Sequence, residues 1–564
     1  MTPTHIVVGG GSAGCVLAAR LSENAANRVL LIEAGPDLPP DNAPADILNT
    51  YAGWALNNPS YFWSDLQASR SDNPDLPESS RQPGRYEQAR ILGGGSTING
   101  QVALRGQPSD YDRWSEMGAT GWDWASVLPF FRRLETDQDF TDQMHGGQGP
   151  ITIRRFQPDA WDPFTRAVSE VWAKEGYPFR PDMNGVGGEG YSPIPLANTG
   201  ERRAGPAIDY LTAAVRQRPN LSIRTDTEVR HLTIANGRVT GVAVGPLGAE
   251  EVIAADTVVL SAGALHTPWL LLRSGIGPGQ HLQDRGVTVQ LDRPGVGANL
   301  QDHPTISISS YLPPQVRRRK VARHNYANLV YSSGRENCPP RDMVMMAVCR
   351  SAWHPVGERL GTLTAYVGKS FSTGHVRLSA AHPLGRPETV FNWLSDPRDL
   401  VRMQDALLKM AQLYQAGDVP GVARNPFAAS FSDRVRKIGR LTWQNRLLTR
   451  TAAVMMDSSA LLRRTLIDQF MSDEVSLGTL LTEPDALARH VRKATSGLWH
   501  PCGTCRMGAV ADPMSVTDPT GRVIGIDGLF VADASLIPEI PSHNLNVPVM
   551  MIGERMAELI GTQR

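Results

Sequence analysis

Short apolar runs separated by one helical stretch predict a parallel sheet near the start of the chain. Residues 6–8 (Ile-Val-Val) form a run of the buried parallel-strand kind, and residues 29–32 (Val-Leu-Leu-Ile) form a second one. The intervening residues 15–21 have the composition and spacing of a helix. Far downstream, the apolar residues 257–260 (Thr-Val-Val-Leu) would return the chain to the same sheet.

A glycine motif, Gly-Gly-Gly-Ser-Ala-Gly, connects the first strand to the helix. Gly9 would make the tight turn, and Gly11 would let the backbone approach a pyrophosphate. Gly14 would let the helix pack closely on the strand. Ser12 and Ala13 lie at the helix N-terminus, whose free N–H groups favour phosphate binding.

Glu33 closes the second strand, 19 residues after Gly14, and can accept hydrogen bonds from ribose hydroxyls. Strand, helix, second strand and terminal acid together predict a dinucleotide-binding site. The alternative is a structural strand–helix–strand unit without a ligand. The motif alone does not separate NAD from FAD.

Length and composition indicate a large globular protein with no net charge. A chain of 564 residues is too long for one ordinary core, which predicts two intertwined domains or one large domain with insertions. The hydrophobic fraction of 41% and the charged fraction of 20% are typical of a soluble globular protein. Because 56 basic residues balance 56 acidic ones, no net field favours nucleic acid or an anionic membrane.

The five cysteines are an odd, sparse set, which argues against a disulfide framework and favours a reducing compartment. Cys502 and Cys505 have the spacing of a redox or zinc pair. We find no second ligand pair or thioredoxin-like setting for them, so both are interpreted as small buried residues and no metal is predicted. No signal peptide or membrane span is recognisable, and the sequence predicts a cytoplasmic protein.

Two longer motifs point to a known family. Residues 89–100 read Ala-Arg-Ile-Leu-Gly-Gly-Gly-Ser-Thr-Ile-Asn-Gly, and residues 263–277 read Gly-Ala-Leu-His-Thr-Pro-Trp-Leu-Leu-Leu-Arg-Ser-Gly-Ile-Gly. Both resemble the two signature patterns of the glucose–methanol–choline (GMC) oxidoreductase family, position by position. Residues 294–303, 500–508 and 531–535 resemble further family segments, in the family's order.

The resemblance implies an α/β fold (α+β overall) with two parts. One is a Rossmann-like FAD-binding domain, and the other is a substrate domain built on an antiparallel sheet over the flavin. From the motif positions, residues 1–155, 220–305 and 490–564 are assigned to the FAD domain. Residues 156–219 and 306–489 are assigned to the substrate domain.

The resemblance also implies FAD as the cofactor. Family members that attach FAD covalently use a histidine just before the asparagine of the first signature. Here Ile98 precedes Asn99, and because Ile98 has no nucleophile, FAD is predicted to bind non-covalently. The residues predicted to bind FAD are Gly9, Gly11, Ser12, Ala13, Gly14, Glu33, Leu92, Gly94, Asn99, Val229, Asp533, Ala534, Asn546 and Val547.

Alcohol oxidation by hydride transfer requires a base, a group that steadies the developing alkoxide and a hydride acceptor, here flavin N5. By the resemblance, His500 is the base and Asn546 is the partner that orients the hydroxyl. His543 is interpreted as a channel or structural residue. His266 and His303 lie in signature segments at positions that the family does not use for chemistry, and both are interpreted as structural.

Within the family, the chain most resembles bacterial oxidases of 5-hydroxymethylfurfural and aryl alcohols. The segments that carry this likeness are residues 86–90, 110–114, 121–124, 391–400 and 498–500. Trp499, beside the base, would provide an aromatic wall for a planar substrate, unless it is a core residue. Tyr366 is a second wall candidate, and Gly100 would leave the pocket roomier.

Residues 434–464 resemble an extra helical insertion with basic character. Such a segment could be an interface helix, a channel lid, a contact for an anionic substrate or membrane surface, or only a solvated face. The pattern does not decide between these interpretations.

The sequence thus predicts an enzyme that oxidises a primary alcohol, aryl or furanic, to the aldehyde. O2 would reoxidise the flavin and yield H2O2. Alternatives are a dehydrogenase of the same fold that uses a quinone or another acceptor, a non-redox lyase that contains flavin, and a nucleotide-binding protein without catalysis. The oligomeric state is not predicted.

Overall fold

The computed structural model describes residues 2–74, 76, 78–246, 248–317, 323–472 and 475–562. Within these ranges, none of the helices combines the length and the apolar character that crossing a bilayer requires.

The predicted strand–helix–strand unit lies at the centre of a parallel sheet of five strands. The strand His5–Val8 is in the middle and is buried along its whole length, as expected for a parallel strand covered on both faces. In order across the sheet, the strands are Leu529–Val531, Thr257–Leu260, His5–Val8, Val29–Ile32 and Leu221–Arg224. Both ends and the middle of the chain contribute strands, which confirms the Rossmann-like fold.

A larger antiparallel sheet forms the second layer. Its strands, in order, are Arg424–Ala429, Pro304–Tyr311, Leu360–Val367, Met343–Val348, Asn325–Tyr331 and Gly190–Pro193, and Ser496–Gly497 pairs with Pro304–Tyr311. Because side chains alternate along a strand, Met343, Met345 and Ala347 pack into one apolar core. Met346 and Val348 face the opposite side.

The strands differ from the predicted domain boundaries at two points. Pro304–Tyr311 begins before the predicted boundary at residues 305/306. Ser496–Gly497, assigned to the third FAD segment, pairs with the substrate-domain sheet. The backbone therefore crosses from the antiparallel sheet to the FAD domain directly before His500.

The remaining strands form small sheets at the periphery. They are Val229–Ala235, Arg238–Val244 and Glu251–Ala254; Glu135–Asp137, Ile151–Arg154 and Leu196–Ala197; Gln67–Ala68 and Gly84–Arg85; Ile276–Gly277 and Leu291–Asp292; His375–Arg377 and Glu388–Val390.

The helices of nine or more residues are Ser12–Leu21, Pro108–Glu116, Trp124–Leu134, Pro163–Lys174, Gly263–Arg273, Pro397–Leu413, Trp443–Ser458, Pro484–Ala494 and Asn546–Gly561. The shorter α-helices are Ala45–Leu48, Glu78–Arg81, Gly95–Ile98, Pro206–Asp209, Ala213–Arg216, Gly279–Asp284, Val419–Val422, Asp433–Gly439, Ala460–Leu466 and Leu477–Thr482.

The last helix packs tightly against the first. A Cβ on Gly553 would lie 3.0 Å from the carbonyl oxygen of Ala13, so glycine permits the close approach. The next residue, Glu554, is buried, and its carboxylate accepts hydrogen bonds from Arg20 Nε at 3.0 Å and Arg133 Nε at 2.7 Å. These contacts hold the middle of the last helix against the first helix and against the helix Trp124–Leu134.

A buried ion network surrounds His145, away from the parallel sheet. Its Nδ1 lies 3.2 Å from Glu135 and 3.1 Å from Asp137, and its Nε2 lies 3.0 Å from Asp182. Glu135, Asp137 and His145 are close enough together to bind a metal ion. Arg155 already pairs with two of these carboxylates, at 2.9 Å from Asp137 and 2.7 Å from Asp182, which gives the cluster its countercharge.

We expect the stability of the protein to fall between about pH 6.5 and pH 10 through His145. Burial alone would lower the pKa of His145, but its carboxylate hydrogen bonds, led by Asp137, outweigh burial and raise the pKa to about 10. The native state therefore retains a proton that the unfolded chain loses near pH 6.5, so stability is full below that pH and lost as the pH rises to 10. The loss is on the order of 2 kcal/mol.

Urea unfolding at pH 6 and pH 9.5 would measure this loss. In His145→Gln, which cannot bind the proton, the difference between the two pH values should shrink. An equal loss in both proteins would contradict a charged His145.

Candidate active site

A continuous cavity of about 590 Å³ lies between the two large sheets. The carboxyl ends of the parallel strands line one end of it, as is usual for ligand sites in such sheets. Met346 and Val348 of the antiparallel sheet line the opposite wall. Trp499 and Phe431 also line the cavity and are partly exposed, with ring centroids 5.1 Å apart at its opening.

The glycine loop has the geometry that the motif predicts. Gly9 has φ +99°, and a Cβ there would lie 2.5 Å from the Ser261 carbonyl oxygen. A Cβ on Gly14 would lie 1.9 Å from the Gly9 carbonyl oxygen, so the helix could not pack as it does. At Gly11 the nearest protein atom would be 3.7 Å away, so the close approach there is reserved for a ligand.

Glu33 stabilises the glycine loop through hydrogen bonds to backbone N–H groups. Its carboxylate accepts hydrogen bonds from the N–H groups of Gly10 at 2.8 Å and Gly35 at 2.7 Å. Burial raises the pKa of Glu33, and these two hydrogen bonds oppose that shift. The side chain also borders the cavity, where an oxygen can accept from a ribose hydroxyl.

Most residues predicted to bind FAD line this cavity. They are Gly9, Gly11, Ser12, Ala13, Glu33, Gly94, Asn99, Val229, Asp533, Ala534 and Asn546. Three others do not. Gly14 packs against the strand, Leu92 lies under Gly10, and Val547 is buried in the last helix.

A chain of hydrogen bonds joins the three segments that surround the cavity. Ser12 Oγ lies 2.7 Å from Ser96 Oγ, and Ser96 Oγ donates to Asn546 Oδ1 at 2.7 Å. All three side chains border the cavity. A separate hydrogen bond at the cavity joins two further segments, because the Asp533 carboxylate accepts from the N–H of Gly263 at 2.8 Å.

Backbone pairing with an earlier segment fixes the position of His500. The N–H of Leu498 donates to the His303 carbonyl at 3.0 Å, and residues 502 and 301 exchange two hydrogen bonds at 3.0 Å. Between these anchors, Trp499 adopts φ +58°, a left-handed conformation that is costly for a large residue. The backbone between these anchors places the His500 ring at the cavity wall.

His303 determines which nitrogen of His500 carries the proton. His303 Nε2 lies 3.0 Å from the carbonyl oxygens of Gly368 and Pro541, so it must donate. Burial lowers the pKa of His303 to about 3, so its Nδ1 is unprotonated and can only accept. That acceptor is 2.8 Å from His500 Nδ1, which must therefore be the donor.

His500 itself is a neutral base. Burial, with a smaller contribution from His303, lowers its pKa well below the usual value. With the proton on Nδ1, its Nε2 presents a lone pair to the cavity. Asn544 Nδ2 lies 3.2 Å from this atom and donates to it, while Asn544 Oδ1 has no partner among the described residues.

The asparagine in hydrogen-bond contact with His500 is thus Asn544 and not the predicted Asn546, although Asn546 lines the same cavity. Asn546 opens the last helix, and its amide contacts Ser96 and Val102, on the side of the glycine loop. Asn544 lies in the preceding loop. The assignment of Asn546 rests on the likeness of residues 546–555 to the family's closing segment and on its spacing to Glu554, and its catalytic role stays a prediction.

Asp302 holds the two histidines together through their backbones. Its Oδ1 accepts from the N–H of His303 at 2.8 Å and from that of His500 at 2.9 Å. Burial raises the pKa of Asp302 to about 7. The interpretation of His303 as a purely structural residue is therefore incomplete, because it contacts the candidate base directly.

We expect His303→Leu to slow flavin reduction about ten- to a hundredfold, because His500 would lose the acceptor that fixes its tautomer. His303→Asn should restore much of the rate, since an amide can accept from His500 and donate to the carbonyls. Stopped-flow reduction at saturating alcohol would compare both variants with the wild type. Equal losses in both would indicate that the residue only fills space.

The predicted pocket residues divide into two groups. Trp499 and Gly100 line the cavity, and a Cβ on Gly100 would meet only the far end of His324, at 3.5 Å. Tyr366 does not line it. The Tyr366 ring is fully buried, packed 5.2 Å from the His303 ring, so it supports the histidine pair rather than forming a cavity wall.

The other singled-out residues have distinct positions. Cys502 and Cys505 are buried, and burial raises the pKa of both thiols. His543 is buried outside the cavity wall. His266 lines the cavity end near Val229 and stacks on Trp63 with ring centroids 4.8 Å apart.

The chain belongs to the GMC oxidoreductase family. The family's N-terminal model matches residues 4–305 and its C-terminal model matches residues 370–553. Members of this family are FAD-dependent oxidoreductases that act on CH–OH donors, and the glycine loop, Glu33 and the Ser12–Ser96–Asn546 chain fit a dinucleotide cofactor.

Three relatives illustrate the family's range. The chain is 38% identical to a 5-(hydroxymethyl)furfural oxidase of Methylovorus sp. (strain MP688), over 99% of this chain and 98% of the relative. It is 31% identical to an oxygen-dependent choline dehydrogenase of Rhizobium rhizogenes (strain K84 / ATCC BAA-868), over 99% and 96%. The crystal structure of pyridoxine 4-oxidase from Mesorbium loti superposes with a TM-score of 0.79, 28% identity and 99% coverage of both chains.

Proposed function

We propose that this protein oxidises a primary alcohol of aryl or furanic type to the aldehyde and passes the electrons to O2, which yields H2O2. The observation that carries the proposal is the unprotonated Nε2 of His500 beside the Asn544 amide in the cavity wall. Likeness to a furfural oxidase supports the substrate class.

His500 and Asn544 would act on the same oxygen. A substrate hydroxyl that displaced the Asn544 N–H from His500 Nε2 would give its proton to that nitrogen, while the displaced N–H would donate to the substrate oxygen. The proton taken by Nε2 makes His500 a cation, whose Nδ1–H continues to donate to His303. Asn544 then stabilises the negative charge that develops on the substrate oxygen.

FAD would supply the hydride acceptor when bound. The glycine loop and helix N-terminus would hold its pyrophosphate, and Glu33 its ribose. Ile98 borders the cavity next to Asn99 and offers no nucleophile, which supports non-covalent binding. Denaturation in acid should therefore release all of the yellow chromophore from the protein.

The wall near His500 favours a planar, apolar substrate. Trp499, Met346 and Val348 line the cavity together with Leu498 and Val102. An aromatic ring has large apolar faces that such a wall can bury, whereas a small aliphatic alcohol would bury less. We therefore expect aryl and furanic alcohols to be oxidised in preference to small aliphatic alcohols.

Anaerobic mixing of the holoenzyme with aryl, furanic and aliphatic alcohols tests the proposal. Loss of flavin absorbance with the first two classes is expected, followed by H2O2 on admission of air. Bleaching without rapid reoxidation by air, but with reoxidation by a quinone, would identify a dehydrogenase instead. If none of the alcohols bleaches the flavin, the result would favour the alternative of a non-redox lyase that contains flavin.

A further inference from the structure

The segment from Phe431 to Phe470 exposes an unusual number of large hydrophobic side chains. Among the described residues, nine of the seventeen exposed large hydrophobics lie in this segment. They are Phe431, Val435, Trp443, Leu447, Leu448, Val454, Leu461, Leu462 and Phe470. Exposed apolar side chains grouped in this way are typical of an interaction surface rather than of a solvated face.

The helix Trp443–Ser458 carries a stripe of apolar side chains on its solvent-exposed side. Trp443, Leu447 and Val454 follow helical spacing and are 72%, 59% and 59% exposed. The opposite face, with Ala453 and Met456, is buried in the protein. The next helix continues the outer surface with Leu461, which is 74% exposed.

The same segment is strongly basic within a chain of zero net charge. Residues 431–470 contain eight arginines and lysines against three aspartates. Some of these charges are used internally; Arg436, for example, pairs with Glu87 at 3.3 Å. Arg446 and Arg450 are exposed one turn apart: Arg450 lies between Leu447 and Val454 along the apolar stripe, and Arg446 lies at its edge.

We propose that this apolar and basic surface docks on an anionic phospholipid membrane. Trp and Leu side chains would enter the headgroup region while flanking arginines contact lipid phosphates, a combination typical of helices that lie in the membrane interface. A second copy of the chain fits less well, because a two-fold contact would bring the arginines of both copies together.

Docking would also place the cavity opening at the lipid surface. Phe431, Val435 and Gly439 line the cavity, and they precede the exposed helix directly. Asn445 Nδ2 donates to the carbonyl oxygens of Lys437 at 2.7 Å and Arg440 at 3.0 Å, which fixes the exposed helix to the cavity-lining one.

Co-sedimentation of the holoenzyme with vesicles tests this inference independently of activity. We expect binding to vesicles of equal parts phosphatidylglycerol and phosphatidylcholine, little binding to phosphatidylcholine alone, and release when NaCl rises from about 0.05 M to about 0.5 M. Replacing both Arg446 and Arg450 by Gln should weaken binding about 30-fold, since each arginine near an anionic surface contributes about fivefold.

Replacing both Trp443 and Leu447 by Ser should abolish co-sedimentation with the vesicles. The matched control replaces Val186 and Val252, which are 89% and 59% exposed outside this segment, by Ser and should bind like the wild type. Failure to bind anionic vesicles would overturn the proposal. So would a concentration-dependent dimer, seen by light scattering, that Trp443→Ser dissociates, because the surface would then be a self-association interface.

Discussion

Replacement of His500 by Ala is expected to slow the reduction of bound flavin by alcohol about a thousandfold. The side chain supplies the only lone pair that the histidine pair directs into the cavity, since His303 uses its free nitrogen to accept from His500. FAD should remain bound, because His500 contacts His303 and Asn544 rather than the glycine loop. Anaerobic stopped-flow absorbance would measure the rate per bound flavin.

The pH dependence sharpens this test. The variant should recover about tenfold in rate per pH unit in alkaline solution, because the alkoxide forms without a base. The wild type should show no loss from His500 protonation near pH 6.5, since burial lowers the pKa of His500 well below that value. The control is His354→Ala, which removes another cavity-lining histidine and should stay within a few-fold of the wild type.

Flavin reduction at nearly the wild-type rate in His500→Ala would refute the assignment of the base. A protein that loses FAD would instead indicate that His500 supports the fold of the cavity. The measured flavin content separates these two outcomes.

Asn544→Ala and Asn546→Ala should fail in different ways. Loss of the Asn544 amide removes a donor to the developing alkoxide, and we expect flavin reduction to slow about a hundredfold at unchanged FAD affinity. Loss of the Asn546 amide removes the partner of Ser96, and FAD affinity should fall while the rate per bound flavin stays near that of the wild type.

Fluorescence titration of the apoprotein with FAD would measure affinity, and stopped-flow absorbance the rate. Asn544→His is a useful companion, because an imidazole can also donate to the substrate oxygen and should retain part of the rate. The opposite pattern, with slow reduction only in Asn546→Ala, would return the partner role to Asn546.

The strand–helix–strand unit of the FAD domain could be predicted because the residues that determine it lie close together in the sequence. The strand at residues 5–8, the glycines that follow it and Glu33 lie within thirty residues, and each has a steric or hydrogen-bonding reason that the structure confirms. A Cβ at Gly14 would clash at 1.9 Å with Gly9, so the residue type there is dictated by the turn itself.

What only the tertiary structure decided depends on residues distant in sequence. His303 and His500 are 197 residues apart, and their contact exists because strand-like pairing joins the two segments. Which asparagine contacts His500 depends on where the last helix begins. Asn546 is the first residue of that helix, whereas Asn544 lies in the loop before it. Tyr366 lies on the same face of the antiparallel sheet as the cavity-lining Met346, but it packs against the His303 ring and does not reach the cavity.

The sequence by itself determined the dinucleotide site, the family and the candidate base, because short-range sterics and motif chemistry encode them. The tertiary structure decided which asparagine contacts His500, which nitrogen of His500 carries the proton, and which side chains of residues 431–470 are exposed. Those properties depend on which groups face each other after folding, and neither composition nor local spacing records that.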